Sequence, residues 1–204
     1  MKELGLMGGT FNPIRERELL IGQRALDQFG LYKVLFMTNG SPPHKRTDPS
    51  YELLDAELRW EMVQAAVRHN RKFEASRMEV DRAGTTWTID TLHQLRSELG
   101  PCVRINFICG ADTIKSLERY ARREEFLALC RLLVAPRDPA RDGLLEDWRR
   151  LLPGAEIELI DVPADSSSSS MVREWIRDGI SVRYLVPGPA HRILRRKKHY
   201  QRED

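Results

Sequence analysis

The plainest chemical signal in the chain is the string Gly8-Gly9-Thr10-Phe11-Asn12-Pro13, directly after its first apolar stretch. Two residues without a Cβ let the backbone turn tightly and approach a ligand, and the amides that follow can point at an anion. At the carboxyl end of a strand such a loop reads as a phosphate cradle, although two glycines also make an ordinary turn. The three cysteines, Cys102, Cys109 and Cys130, are odd in number and lack the paired short spacing of a zinc site. Each lies in or beside an apolar segment, so buried thiols are expected and no metal site.

The elements that must position this loop follow from the apolar pattern. At 204 residues, 41% hydrophobic and 31% charged, the chain has the makings of one ordinary soluble domain. No apolar run approaches the roughly 20 residues that span a bilayer, and Met1-Lys2-Glu3 leads straight into a strand, so a cytoplasmic location without membrane contact is expected. Short runs rich in β-branched and aromatic residues, at 2–7, 33–38, 73–81, 103–109, 131–135 and 156–162, alternate with segments of helical period. The helical segments carry Leu19, Gly22, Leu26 and Phe29, then Leu58, Met62, Ala65 and Ala66, then Ile89, Leu92, Leu95 and Leu99 before Gly100-Pro101. This alternation predicts an α/β fold, a Rossmann-like doubly wound parallel sheet.

A further helix is expected around Leu144, Trp148 and Leu152, stopping at Pro153-Gly154. The serine run 166–170 precedes an amphipathic pattern on Val172, Trp175 and Ile176, and Pro187-Gly188-Pro189 breaks the chain before a terminal helix. The expected organisation is therefore a single domain, 1–204, with a sheet core over 1–165 and a small helical C-terminal part over 166–204. The basic stretch Arg192, Arg195, Arg196, Lys197 and Lys198 reads as a solvated helix end, and a net charge of +3 gives little reason to expect nucleic-acid binding. Self-association stays open.

Five motifs, in order from residue 8 to residue 173, together resemble the bacterial nicotinate mononucleotide adenylyltransferases of the HxGH nucleotidyltransferase superfamily. They are Gly8-Gly9-Thr10-Phe11-Asn12-Pro13-Ile14, then Ser41-Pro42-Pro43-His44-Lys45, then the segment from Arg82 through Gly84, Trp87 and Thr88 to Leu92. Phe107-Ile108-Cys109-Gly110-Ala111-Asp112 and Ser168-Ser169-Ser170-Met171-Val172-Arg173 complete the set. The resemblance implies transfer of AMP from ATP to nicotinate mononucleotide: the mononucleotide phosphate attacks the α-phosphate in line and pyrophosphate leaves. Such catalysis consists of positioning two anions and neutralising their charge, with Mg2+ carried by ATP and pyrophosphate.

The same resemblance implies roles. ATP would be held by Gly8, Gly9, Thr10, Phe11, His44, Gly110, Asp112, Ser169, Ser170 and Arg173. The mononucleotide would be held by Asn12, Lys45, Thr86, Trp87, Thr88 and Tyr120, with Tyr120 as a stacking platform. Lys45 and Arg173 would serve the reaction itself. Read as residues alone, His44-Lys45 is an exposed turn and Ser166-Ser167 a flexible linker. Asp112 reads as a helix N-cap ahead of Thr113, and the aromatics as core cover.

One motif departs from the family pattern. Where His-x-Gly-His should follow Asn12-Pro13-Ile14, the chain has Arg15-Glu16-Arg17-Glu18. Arg15 and Glu18 occupy the positions of the two catalytic histidines. Arg15 can offer charge, whereas Glu18 cannot donate at neutral pH and would face the phosphates. Removing one preorganised donor costs about 100- to 1000-fold in rate. Two readings follow: an adenylyltransferase of NAD biosynthesis with impaired turnover, or a catalytically silent nucleotide-binding protein of the same fold.

Overall fold

A computed structural model describes residues 1–42, 52–137, 143–197 and 199–200. Strand β1 is Lys2–Gly9, followed by helix α1, Glu16–Gln28, strand β2, Lys33–Thr38, helix α2, Ala56–Val67, and strand β3, Phe73–Ser76. Helix α3, Thr88–Leu99, leads to strand β4, Val103–Gly110, and to two short helices, α4, Ala111–Glu118, and α5, Arg123–Leu129. Strand β5, Arg131–Ala135, helix α6, Leu144–Leu151, strand β6, Ile157–Leu159, and helices α7, Ser169–Arg177, and α8, Gly188–Arg196, complete the order.

The strands form one parallel sheet in the order β3-β2-β1-β4-β5-β6, the doubly wound Rossmann-like arrangement that the alternation predicts. Register is set by Lys2 opposite Val103 and Met7 opposite Ile108, and by Asn106 opposite Arg131. The chain divides into two compact units, one of Met1–Gly8, Leu20–Leu35 and Trp87–Asp165, the other of Gly9–Leu19, Phe36–Thr86 and Ser166–Asp204.

In the first unit Leu4, Leu6, Ile105, Ile108, Leu132 and Leu133 are buried along the strands, the near-continuous apolar runs of a sheet covered on both faces. Asn106 interrupts β4 fully buried, and its amide satisfies Glu3 and the Leu4 carbonyl while its oxygen accepts from Arg131 at 2.7 Å. In the second unit Phe36 packs between Phe11 and Phe73, with ring centroids 6.3 and 4.9 Å away, and α2 lies on α8.

Two strands are shorter than the sequence pattern suggests. After Ser76 the chain coils: Asp81 donates its amide to the Arg77 carbonyl at 2.9 Å and takes the Arg77 guanidinium on its carboxylate. At the sheet edge β6 ends at Leu159, although the Ile160 amide still donates to the Val134 carbonyl of β5 at 2.9 Å, and the Asp161 amide after it donates to the Gln28 side chain. The buried-thiol expectation fails for Cys102, which is exposed in the turn before β4; Cys109 is half-buried and Cys130 buried. Among the described residues no helix is long and apolar enough to cross a membrane.

Candidate active site

The loop leaving β1 in the second unit is held by its own side chains. A Cβ on Gly9 would lie 2.9 Å from the Phe11 ring, and Phe11 itself takes a left-handed φ of 49° while buried. The Asn12-Pro13 bond is cis. The Asn12 side chain is 1% exposed; its oxygen accepts the Leu54 amide at 3.1 Å and the Tyr200 hydroxyl at 2.6 Å, and its nitrogen donates to the Glu52 carbonyl at 2.8 Å. Asn12 thus shapes the loop, its amide group occupied by protein partners.

Arg59 on α2 is the hub beneath this loop. It is 1% exposed and donates to four carbonyls: Thr10 at 2.8 Å, Asn39 at 2.6 Å, Gly40 at 3.0 Å and Leu54 at 2.9 Å. A buried cation is tolerated only when such partners surround it. Sequence reasoning missed it, although an arginine between Leu58 and Met62 on an apolar helix stripe is the signal of a buried charge. Gly40 follows the same logic: a Cβ there would fall 2.0 Å from the Glu79 carbonyl oxygen.

At the start of α1 the substituted motif closes on itself. The Arg15 amide donates to one oxygen of Glu18 at 2.8 Å, while the Arg15 guanidinium donates to the other oxygen. The same guanidinium reaches across to Ser167, donating to its carbonyl and, at 3.1 Å, to its hydroxyl. Both side chains are largely enclosed, with 15% and 18% of their area exposed. The next amide, that of Glu16, donates to the Leu185 carbonyl at 2.9 Å. The Arg15 and Glu16 amides, which a phosphate at this helix start would use, both have protein acceptors. Burial also pushes the Glu16 carboxyl above its ordinary range.

The serine run is not a linker at Ser167, which receives Arg15. Ser168 caps α7, its hydroxyl accepting the Met171 amide at 3.1 Å, and Ser169 donates to the Pro13 carbonyl at 3.2 Å. Arg173, buried at 5% exposure, donates to the Asn12 carbonyl at 2.9 Å and to the Ser170 hydroxyl at 3.0 Å. Loop β1–α1 and the N-terminus of α7 are therefore one assembly. Thr86 is buried, and its hydroxyl donates to Asn39 at 2.9 Å while accepting the Ser41 amide at 3.2 Å. His44 and Lys45 lie outside the described residues.

In the first unit β4 ends at Gly110, where nothing approaches the position of a missing Cβ. Gly110, rather than Asp112, is the cap residue of α4; Asp112 lies inside the first turn and its carboxylate pairs with Arg137 at 2.6 Å, both side chains exposed. The aspartate stands past the cap because the strand hands over to the helix at the glycine, with extended φ and ψ of −84° and 164°. Trp87 is 42% exposed and immediately precedes Thr88, the first residue of α3. Tyr120 packs edge-on against Phe126, with centroids 6.3 Å apart, and its ring lines a groove of about 480 Å³ with Arg119 and Arg122.

The model of the cytidylyltransferase-like family matches residues 6–175 of this chain, the span from β1 through α7. The chain belongs to the cytidylyltransferase-like family. Among members that it resembles, a probable nicotinate-nucleotide adenylyltransferase of Moorella thermoacetica is 36% identical over 201 residues, covering 97% of this chain and 91% of its own. A protein of the same description from Lachnoclostridium phytofermentans is 36% identical over 190 residues, 92% of this chain and 93% of its own. In fold the chain is similar to the nicotinic acid mononucleotide adenylyltransferase of Plasmodium falciparum, solved in complexes with APC and with NaAD. The TM-scores are 0.77, at 16% and 17% identity over 98% of each chain. In open parallel sheets of this kind ligands bind beyond the carboxyl ends of strands.

Proposed function

We propose that this chain is, by descent and architecture, a nicotinate-nucleotide adenylyltransferase of NAD biosynthesis, converting ATP and nicotinate mononucleotide to deamido-NAD and pyrophosphate, with impaired turnover. The names of relatives covering nearly the whole chain support the reaction class. The observation that carries the impairment is the closure of Glu18 on the amide and guanidinium of Arg15.

In this reading Gly8, Gly9, Thr10 and Phe11 form the cradle, with Gly110, Asp112, Ser169, Ser170 and His44 as the further contacts of ATP. Lys45 and Arg173 supply positive charge to the reacting phosphates, and Asn12, Thr86, Trp87, Thr88 and Tyr120 shape the mononucleotide half. The 1–204 chain works as one nucleotidyltransferase domain whose 166–204 part contributes the serine-arginine motif. Arg173 acts largely by fixing the loop, since its fork is occupied by Asn12 and Ser170. Trp87 and Thr88 at the start of α3 leave an exposed aromatic face and helix amides for a pyridine carboxylate.

Among the described residues no trio of histidine, cysteine, aspartate or glutamate is disposed to hold a metal ion. Mg2+ enters as part of the MgATP substrate, where it neutralises phosphate charge. The family reaction and its substrates fit a cytoplasmic protein.

The test is pyrophosphate release with nicotinate mononucleotide and MgATP, comparing this chain with the triple variant Arg15→His, Arg17→Gly, Glu18→His. The variant restores two donors and removes an anion, so its rate rises about 1000-fold or more. Near-normal turnover of the unaltered chain overturns the impairment, and no gain in the variant overturns the placement of the site. A second reading, a silent nucleotide-binding protein, is favoured by the Arg15 bridge to Ser167. Calorimetric titration of each nucleotide separately distinguishes it, since it requires binding without turnover.

A further inference from the structure

The C-terminal part of the second unit contains a second concavity whose chemistry the nucleotidyl-transfer reading does not use. It is a groove of about 250 Å³ between the end of α7, the turn that follows and α8. Its apolar wall is Ile176, Val182 and Leu194. Its polar lining is Ser181 together with three basic side chains, His191 and Arg195 on α8 and His199 just beyond it. All three can carry positive charge, and none has an ion-pair or hydrogen-bond partner for its side chain among the described residues. Among the described residues no carboxylate lines the groove.

This contrasts with three basic side chains beside the groove. Arg196 and Lys197, the next two residues, both pair with Glu61 at 3.6 and 3.5 Å, and Arg177 at the end of α7 pairs with Glu52 at 3.3 Å. These three are thus neutralised, while His191, Arg195 and His199 have no carboxylate partner among the described residues. The lining is also fixed. The His199 amide donates to the Leu194 carbonyl at 3.3 Å, and Tyr200, fully packed, anchors the turn by donating its hydroxyl to Asn12. Leu194 and Val182 are buried, so the wall belongs to the packed interior of the unit.

We infer that the groove between α7 and α8 binds a small organic anion, a carboxylate or phosphate carried on an apolar body of about one ring, with Arg195, His191 and His199 holding the anionic group. A guanidinium flanked by two imidazoles can supply several charge-assisted donors to one planar or tetrahedral anion. The isoleucine, valine and leucine wall gives an apolar body a surface to cover, and the volume excludes a dinucleotide. Burial lowers the His191 pKa, and the charges of Arg195 and of Arg183 on the preceding turn lower it further. An anion seated among these groups removes that repulsion.

The test uses benzoate and phenyl phosphate as probes, with benzamide and inorganic phosphate as controls, and reads the imidazole proton signals of the intact chain by NMR. The chain has five histidines, and His191→Gln and His199→Gln assign the two signals. The expected result is saturable shifts of both signals with benzoate, phenyl phosphate or both, at a Kd of about 1 mM or below, and not with benzamide. Which probe binds more tightly identifies the anionic group. Arg195→Gln, at an exposed position, weakens that binding about tenfold or more. Three results each overturn the inference: no saturation by about 20 mM, shifts of equal size with benzamide, or inorganic phosphate binding as tightly as phenyl phosphate.

Discussion

Glu18 takes the backbone amide of Arg15 on one carboxylate oxygen, at 2.8 Å, and the guanidinium of the same residue on the other. This is the reciprocal half of a capping box, a glutamate at the third helical position reaching back to the residue that precedes the helix. It is good chemistry for starting α1 and poor chemistry for binding phosphate, because the carboxylate both neutralises the nearby cation and uses an anion-facing amide. The confinement of the change to three positions of the motif, with the rest of the loop intact, fits a change of site rather than general decay.

Glu18→Gln separates those two effects. Glutamine keeps a side-chain oxygen for the Arg15 amide but carries no charge, and because the pair is largely enclosed folding stability falls by about 1–3 kcal/mol. Removing one negative charge about 4 Å from a phosphate is worth about 1 kcal/mol even in water, so ATP affinity rises roughly 5-fold or more. Calorimetry with ATP and urea unfolding measure both quantities. Unchanged ATP affinity would mean that position 18 does not face the nucleotide.

Arg59→Met leaves the carbonyls of Thr10, Asn39, Gly40 and Leu54 without that donor inside the second unit. Each carbonyl left unsatisfied costs about 1–3 kcal/mol, and partial access to water reduces the total to roughly 3–5 kcal/mol. Arg59→Lys keeps a charge but not the planar fork, and recovers less than half of the loss. Urea midpoints at constant slope are the measurement, and a loss under about 1 kcal/mol would remove Arg59 from its place as the hub.

The sheet was legible in the sequence because apolar periodicity records burial directly: all six strands fall where β-branched and aromatic runs stand. The ends of β3 and β6 were not: after Ser76 the chain turns through Asp81 onto Arg77, and after Ile160 the Asp161 amide meets Gln28, contacts that lie outside the strand pattern. In the site, the loop glycines and the serine-arginine motif were readable because their spacing is local. The grip of Arg59 on Thr10 and Asn39, the Tyr200 anchor on Asn12 and the bridge from Arg15 to Ser167 join residues 20 to 188 positions apart. Such contacts leave no periodic trace. Asp112 shows the limit of local rules: it is a good cap residue two positions too late, because Gly110 ends the strand and caps the helix.

The cysteines give a test that needs no substrate. Burial pushes the Cys109 thiol up to about 12, against a hydrogen bond to Thr113 that lowers it, and holds the Cys130 thiol still higher. Thiolate is the reactive form, so both are inert near neutral pH, whereas Cys102 is exposed. Iodoacetamide at about pH 8 therefore alkylates Cys102 first in the native protein, by more than about tenfold in rate, and the other two only after unfolding. Peptide mass spectrometry reads the order. Equal labelling of Cys130 would contradict its packing beside Phe126, whose carbonyl accepts its thiol at 3.5 Å.

His191 makes the last prediction, and its sign follows from the direction of its shift. Its pKa in the folded chain lies below the ordinary histidine value of 6.5, first because it is partly buried and then because Arg195 and Arg183 are near. The unfolded chain therefore binds the proton more readily than the folded one, and folding favours the neutral ring. The stability this contributes is fully present above the unfolded value and is lost as pH falls through it and then through the folded value. Stability should thus decline from about pH 7 downward with a component that His191→Gln abolishes. Arg183→Gln and Arg195→Gln together should raise the His191 pKa only part of the way, because burial is the larger cause. Imidazole titration by NMR reads the pKa directly, and a value at or above the ordinary one in the unliganded chain would show that the groove does not enclose this ring.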